Sequence, residues 1–356
     1  MILYLVHCPP PIHGAAIVGQ QIVSSQHINE SMNPKIINLS YPGLDKIGKI
    51  SLNKLIWQVN LYFLFIRALQ KHSNIEKIYL SISASYLGLI RDIPFIIVSR
   101  VLRKEIYLHC HNKGFKSLSR LSQYIFSKVV RNTKIIVLSE RLKYDLNFVS
   151  AKTHIVVCNN GTKAIENVRI GNIDRLKVLF FSNFYEEKGV LRCLNALESV
   201  SFPMEMTIAG NDGDLSLEEL EQKASHLNLS PNVKLVLSGA KYDREKEVLF
   251  QGSNVVLFPT WYRKECFPLT VLEAMSSYNV VVTTDNGGIL DIIDNNRNGI
   301  IIDGSSKSIA SALHTLNADK NLMRELSIAA YREWESRFEL SKFESRFRKI
   351  IENIES

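Results

Sequence analysis

No Cys-x-x-Cys pair occurs in the 356 residues, and the five cysteines (Cys8, Cys110, Cys158, Cys193, Cys266) are odd in number and far apart. That excludes a disulfide framework and fits free thiols in a reducing cytoplasm. A long uninterrupted apolar run is also missing. The greasiest stretch, "KLIWQVNLYFLFIRAL" at 54–69, is broken by Gln58, Asn60 and Arg67. It falls short of the roughly 20 apolar residues that span a bilayer and reads as a buried or surface-docked helix. The opening, "MILYLVHCPPPIHG", has neither the basic start nor the cleavage site of a signal peptide and reads as a first buried strand, Ile2 to Val6. Two phosphate motifs are lacking as well. No G-x-G-x-x-G occurs, and Gly14 and Gly19, which have Walker spacing, are followed by Gln20-Gln21 rather than Lys-Ser/Thr. Acidic residues are scarce in the first half: residues 1–172 hold 8 against 22 Lys and Arg, a net of +14, while the remainder holds 27 against 21, a net of −6. A basic half of this size points to an anionic partner, whether nucleic acid, a phospholipid surface or a phosphorylated substrate; a solvated face is the plainer alternative.

What the chain does have is 46% hydrophobic residues, enough for two cores. Short β-branched runs alternate with amphipathic stretches: "ILYLV", "KIINL", "KIYLSI", "EIYLH", "KIIVLS" and "HIVVC", then "KVLFF", "MEMTIAG", "VKLVLSG", "NVVLFP", "NVVVTT" and "GIIID". Continuous rather than alternating hydrophobicity argues for parallel strands covered on both faces. The pattern restarts after the turn-rich stretch at 159–175. Two doubly wound domains are therefore expected, 1–165 and 166–337, with an amphipathic C-terminal helix in 338–356 joining the first. Ligands of such sheets bind at the carboxyl ends of the strands.

Several unusual residues fall at those ends. Gly14 follows the first strand and opens a helix of small residues, a turn that lets amides approach an anion. In "YLHCHNKGF", His109 and His111 face one way and Cys110 the other, which argues against a metal site, and a satisfied buried histidine is the common alternative. Lys188-Gly189 sits where a loop becomes a helix, a place for an ammonium to meet a phosphate. Asp212-Gly213-Asp214 is similar to the D-x-D of metal-dependent sugar-nucleotide enzymes, but the chain lacks their single-domain pattern, so it reads as an acidic turn. "RKECFPLTVLEAM" sets Glu265 in a loop and Glu273 inside a helix started near Pro268. The free amides of the first turn, Leu269 and Thr270 foremost, form an anion site between two carboxylates suited to sugar hydroxyls and to the paired hydroxyls of a ribose. A helix-start glutamate complementing the dipole, plus an ordinary surface glutamate, is the bland alternative.

Together these residues resemble the retaining glycosyltransferases of family 4, which have the GT-B fold. Glu265…Glu273 matches the E-x7-E motif, "PPPIHGAA" the turn after the first strand, and "HNKG" the "HG" strand end through His111. "CNNG", "SN…KG", "GGILD" and Asn298-Gly299 match further family signatures in order from residue 8 to 303. The resemblance implies an α/β architecture of two Rossmann-like doubly wound parallel-sheet domains facing across a cleft. It implies that Gly14 and Lys188 face a diphosphate, Glu265 contacts the donor sugar, Glu273 holds the ribose and His111 lies beside the reaction centre. Glu265, His111 and Lys188 are then the catalytic candidates, and Asn183, Phe267, Leu269 and Thr270 complete the donor site. Asn183 replaces the family's arginine, so Lys188, with Lys241 or Lys113, must supply the missing charge, and Asp291 stands where the family has Glu. The base is expected against largely backbone contacts near 238–243.

The implied reaction is retaining transfer from a nucleotide-sugar without metal or cofactor. The acceptor expected is a saccharide, specifically a polyprenyl-diphosphate-linked oligosaccharide of bacterial O-antigen or capsule assembly. The basic half, with 54–69 and 115–134, would then rest on an anionic membrane surface, making the protein peripheral at the inner face of the cytoplasmic membrane. A non-catalytic GT-B regulatory subunit is the alternative. A sugar-nucleotide epimerase would lack the glutamate pair, and nucleic-acid binding would leave that pair unused.

Overall fold

A computed structural model describes residues 1–42, 51–166 and 175–354. The middle of the turn-rich stretch expected at 159–175 lies outside these residues. The chain divides into two compact units, Met1–Asn160 with Phe343–Ser356, and Gly161–Lys342. The crossing points thus fall five residues before and five residues after the boundaries read from the sequence.

The first unit carries β1 (Ile2–Val6), α1 (Gly14–Ser24), α2 (Gln26–Asn29), β2 (Lys35–Asn38), α3 (Leu52–Lys71), β3 (Lys77–Ile82), α4 (Tyr86–Val101), β4 (Glu105–Cys110), α5 (Arg120–Val129), β5 (Lys134–Val137) and β6 (His154–Val157). The second unit carries β7 (Leu176–Phe181), α6 (Val190–Ala196), β8 (Met204–Ala209), α7 (Leu217–Ser225), β9 (Val233–Ser238), α8 (Asp243–Gln251) and β10 (Val255–Phe258). It continues through α9 (Leu269–Ser276), β11 (Val280–Thr284), β12 (Ile300–Ile302), α10 (Ser306–Ala318) and α11 (Lys320–Arg337), and the chain ends in α12 (Leu340–Glu352). All twelve runs expected as strands are strands. Among the described residues every strand pairing is parallel, in the orders β2-β1-β3-β4-β5-β6 and β12-β11-β10-β7-β8-β9. Counting β7 as its first strand, the second sheet runs 3-2-1-4-5-6, so its order reverses between β7 and β10. Neighbouring strand ends there lead away to opposite faces and leave a crevice for a ligand.

The continuous apolar runs bury on both faces. All residues of β1, β10 and β11 are buried, and the second core joins Phe180, Ile208 and Leu257 to Leu313 and Leu326 of the covering helices. In α12, Phe343, Phe347 and Ile351 are buried at a four-residue repeat, one face of a helix. Phe347 stands edge-on to Tyr79, and the Tyr107 hydroxyl donates to the Ile351 carbonyl at 2.9 Å, so the end of the chain packs on the first unit. The helix α3, which covers the greasy stretch, buries only Leu61 and Phe65.

Glycine matters where α1 meets β1. A methyl on Gly19 would run into the His7 carbonyl oxygen and the Val6 side chain. Alanine normally gains about 1 kcal/mol over glycine inside a helix. Here forced backbone movement opposes it and decides the sign. Gly19→Ala is expected to destabilise the first unit by about 1–3 kcal/mol, read as a lower urea midpoint.

Candidate functional site

The chemistry-bearing residues of the second unit gather at its switch point. β7 ends in a loop whose turn, Glu186–Lys188, delivers Lys188, and the following Gly189 adopts φ +91. β10 ends at Phe258 and runs into the loop that carries Glu265. The end of β11 ties that loop down. The Thr284 hydroxyl donates to the Thr260 carbonyl at 2.6 Å, and the Asn286 amide donates to the Tyr262 carbonyl at 2.9 Å. The Gly288 amide donates to the Cys266 carbonyl at 2.7 Å. Gly287, at φ +62, leaves no room for a side chain against the Glu265 carbonyl. The double-glycine turn is therefore a backing plate for the glutamate loop.

On this frame Lys188 and Glu265 form an ion pair with their side chains only 14% and 9% exposed. The Thr260 hydroxyl lies 3.4 Å from the same carboxylate. The ammonium also sits 4.7 Å from the centre of the Tyr262 ring and 5.2 Å from that of Phe258, over their negative faces. Pro268 caps α9 rather than occupying its first turn, and makes no side-chain capping bond. The first amide of the helix with a backbone acceptor is that of Val271, to the Pro268 carbonyl at 3.2 Å. The amides of Leu269 and Thr270, on half-buried residues, precede it at the positive end of the helix dipole. Phe267 is buried and packs edge-on against Phe338. One turn into α9, Glu273 accepts from the Lys246 ammonium at 2.7 Å.

Asn183 is exposed, and the Asn211 amide reaches its oxygen at 3.4 Å. Asn211 in turn accepts from the Tyr242 hydroxyl at 2.9 Å, which links the loops after β7, β8 and β9. Lys241 is paired to Glu245 at 3.1 Å. Asp212 and Asp214 accept from the Leu217 and Glu186 amides, which occupies both in turn formation. Asp291 closes a short 3-10 turn after the glycine pair. Sequence reasoning missed Thr260, Tyr262 and Lys246. Lys246 lies 27 residues from its partner, and no local spacing reports such a contact.

In the first unit, Gly14 begins α1 with open space beside it. His13 caps that helix, its Nδ1 accepting from the Ala16 amide at 3.2 Å. His109 and His111 lie on one side of β4 as the alternation requires, with ring centres 4.0 Å apart. His109 is fully buried and its Nδ1 meets the Tyr79 hydroxyl at 2.8 Å. The Nε2 atoms of both rings are buried without a hydrogen-bond partner. Burial, with repulsion from His13, pushes His111 down to about 3. Burial lowers His109 and His7 well below the ordinary imidazole value, and lowers His13.

Residues 164–333 match the family model of glycosyl transferases group 1. The capsular polysaccharide biosynthesis glycosyltransferase CapM of Staphylococcus aureus is 22% identical over 273 residues, covering 70% of each chain. The crystal structure of HepE from Anabaena in complex with UDP superposes with a TM-score of 0.76 at 15% identity, over 99% of this chain and 100% of that one. Sucrose-phosphate synthase from Thermosynechococcus elongatus gives 0.75 at 16% identity, over 99% and 98%. The fold is GT-B.

The histidine cluster sets a pH dependence. Folded values below the unfolded 6.5 mean that, as pH falls, the unfolded chain takes up protons first. The contribution of these histidines to stability is therefore full above 6.5. It declines from 6.5 down towards about 3, where His111 itself protonates. The urea midpoint of the first unit is expected to be lower at about pH 5 than at about pH 7.5, and His111→Phe to flatten part of that slope.

Proposed function

We propose that this protein, with a glycosyl transferases group 1 domain over residues 164–333, is a retaining glycosyltransferase using a nucleotide-sugar donor. The observation that carries the reading is the Lys188–Glu265 pair, its carboxylate buried and its ammonium partly so, at the switch point of the second sheet, beside the amides that open α9. The donor diphosphate lies on the Leu269 and Thr270 amides, within reach of the Lys188 ammonium. Glu265 accepts from hydroxyls of the donor sugar, and Glu273, one turn along, from those of the ribose. Asn183 and the Tyr242 loop are then at the nucleoside end. Two of the solved neighbours, HepE structures from Anabaena, hold UDP and UDP-glucose, which favours a nucleoside diphosphate in the same place.

In the proposed reaction the bond from the sugar's anomeric carbon to the diphosphate oxygen breaks. A bond from the same carbon to the acceptor hydroxyl oxygen forms on the same face, through an oxocarbenium-like state. The acceptor proton passes to the departing diphosphate oxygen. Charge grows on that leaving group, and the lysine and helix amides are already oriented to stabilise it. In the first unit, Gly14 has open space beside it at the start of α1, and burial keeps His111 neutral, able to offer a hydrogen bond without competing for a proton. No metal is needed for these steps.

The acceptor proposed is a polyprenyl-diphosphate-linked oligosaccharide at the inner face of the cytoplasmic membrane, in surface polysaccharide assembly. Support comes from the surface of the first unit. Ile56 and Phe63 of α3, Ile90 and Val101 of α4, and Leu121 and Tyr124 of α5 are all exposed. Lys71, Arg103, Arg120 and Lys128 stand exposed on or just beyond the same helices. No described helix is long and apolar enough to cross a membrane. Each basic side chain near an anionic surface adds about 1 kcal/mol of attraction.

Three measurements test this function. In a thermal-shift series with UDP, GDP, ADP and CDP, one nucleotide is expected to raise the melting temperature, binding at 100 times its Kd being worth about 2.7 kcal/mol. With the matching sugar nucleotide, Glu265→Gln is expected to cut transfer by about 100-fold or more while nucleotide binding persists. Normal turnover by that variant would remove Glu265 from the mechanism, and nucleotide binding without any turnover by the native protein would favour a regulatory subunit. For the membrane, the protein is expected to sediment with anionic vesicles at low salt and to be released at about 1 M salt, where screening shortens to about 3 Å. Indifference to the vesicles would remove the lipid surface from the proposal.

A further inference from the structure

Both glutamates of the pair that brackets the start of α9 are held by a lysine from another element. The sequence pointed Lys188 at a diphosphate rather than at Glu265, and it did not single out Lys246 at all. We propose that Lys246 is a positioning residue for ribose recognition. It fixes the Glu273 carboxylate so that the oxygen facing away from it accepts from the 2′ and 3′ hydroxyls of the nucleotide. This rests on the nucleotide reading above and adds a residue to it.

The geometry is specific. The Lys246 ammonium donates to Glu273 Oε1 at 2.7 Å, with the two side chains 24% and 14% exposed. The pair is therefore too far from water to be a surface ion pair of negligible strength. One oxygen of the carboxylate is occupied, which restricts rotation of the group. The Glu273 backbone is gripped as well, because the hydroxyls of Ser276 and Ser277 each donate to its carbonyl at 2.8 Å. A carboxylate whose plane is fixed before binding loses less freedom when it takes paired hydroxyls.

Lys246 also connects two parts of the nucleoside site. It lies one helical turn beyond Tyr242, and its amide donates to the Tyr242 carbonyl at 3.3 Å. Tyr242 caps α8 and bonds Asn211, which bonds Asn183. A single turn of helix thus joins the loop expected near the base to the lysine that orients the ribose carboxylate. A lone charge at Glu273 would also repel the donor diphosphate, and the lysine cancels it.

The test uses the full chain and calorimetric titration. Whichever of UDP, GDP, ADP and CDP binds is compared with its 2′,3′-dideoxy analogue, for the native protein and for Lys246→Met and Lys246→Arg. Native protein is expected to prefer the ribonucleotide by at least about tenfold, as expected for hydrogen bonds to a charged group. Lys246→Met is expected to lose most of that preference by weakening ribonucleotide binding alone, and Lys246→Arg to keep it. An unchanged preference in Lys246→Met overturns the proposal and leaves the nucleotide site standing. Equal weakening of both ligands by Lys246→Met also overturns it, since it marks a phosphate contact or a general loss of structure. Failure of all four ribonucleotides to bind native protein overturns the nucleotide reading itself.

Discussion

Taking an ammonium or a carboxylate out of water costs several kcal/mol per ion, and the attraction between them offsets that only when geometry is good and the remaining lone pairs are satisfied. Lys188 and Glu265 meet that condition because three strands converge on them. β7 delivers the lysine, β10 the glutamate loop, and the end of β11 supplies Thr284 and Asn286 to hold that loop by its carbonyls. Phe258 and Tyr262 place aromatic faces under the ammonium. The site therefore depends on the parallel register of three strands, and on the glycine pair that lets the next turn lie against the Glu265 backbone.

The same register explains why the second unit concentrates its chemistry on one edge. In a parallel sheet every strand ends on the same side, and every following helix begins there with its amides free. At the reversal between β7 and β10 no crossover covers the edge. A ligand that carries two phosphates, a sugar and a nucleoside needs donors in its middle and acceptors at its ends. The order of groups along this edge is Glu265, the α9 amides and Glu273, with a lysine on each carboxylate. The two pairs leave the neighbourhood near neutral apart from the helix dipole, which favours an anion.

Much of the fold was legible in particular segments. "KVLFF", "NVVLFP" and "NVVVTT" read as buried parallel strands because both faces are apolar, and Val255, Leu257 and Val281 are indeed enclosed. Glu265 and Glu273 stood out because they flank an apolar segment with a proline, a local pattern. His109 and His111 share a side by strand alternation alone. The exposed face of α3 was harder to read. Its composition left a buried and a surface-docked helix both open, and the structure docks it through Leu61 and Phe65 while Phe63 and Ile56 remain outside. A helix with apolar residues on every side gives no periodic signal for the face it will present.

Features local in the chain were decided by the sequence: strands, turns, and the spacing that sets one carboxylate in the loop before α9 and the other one turn inside it. These follow from backbone sterics and side-chain periodicity over a handful of neighbours. Pairings between distant positions were decided only by tertiary structure: Lys188 with Glu265, Lys246 with Glu273, Asn286 with the Tyr262 carbonyl, and the Tyr79 hydroxyl with His109. Each depends on which strands lie side by side and at what register. That order is set by the packing of whole cores, and no short stretch of chain contains it.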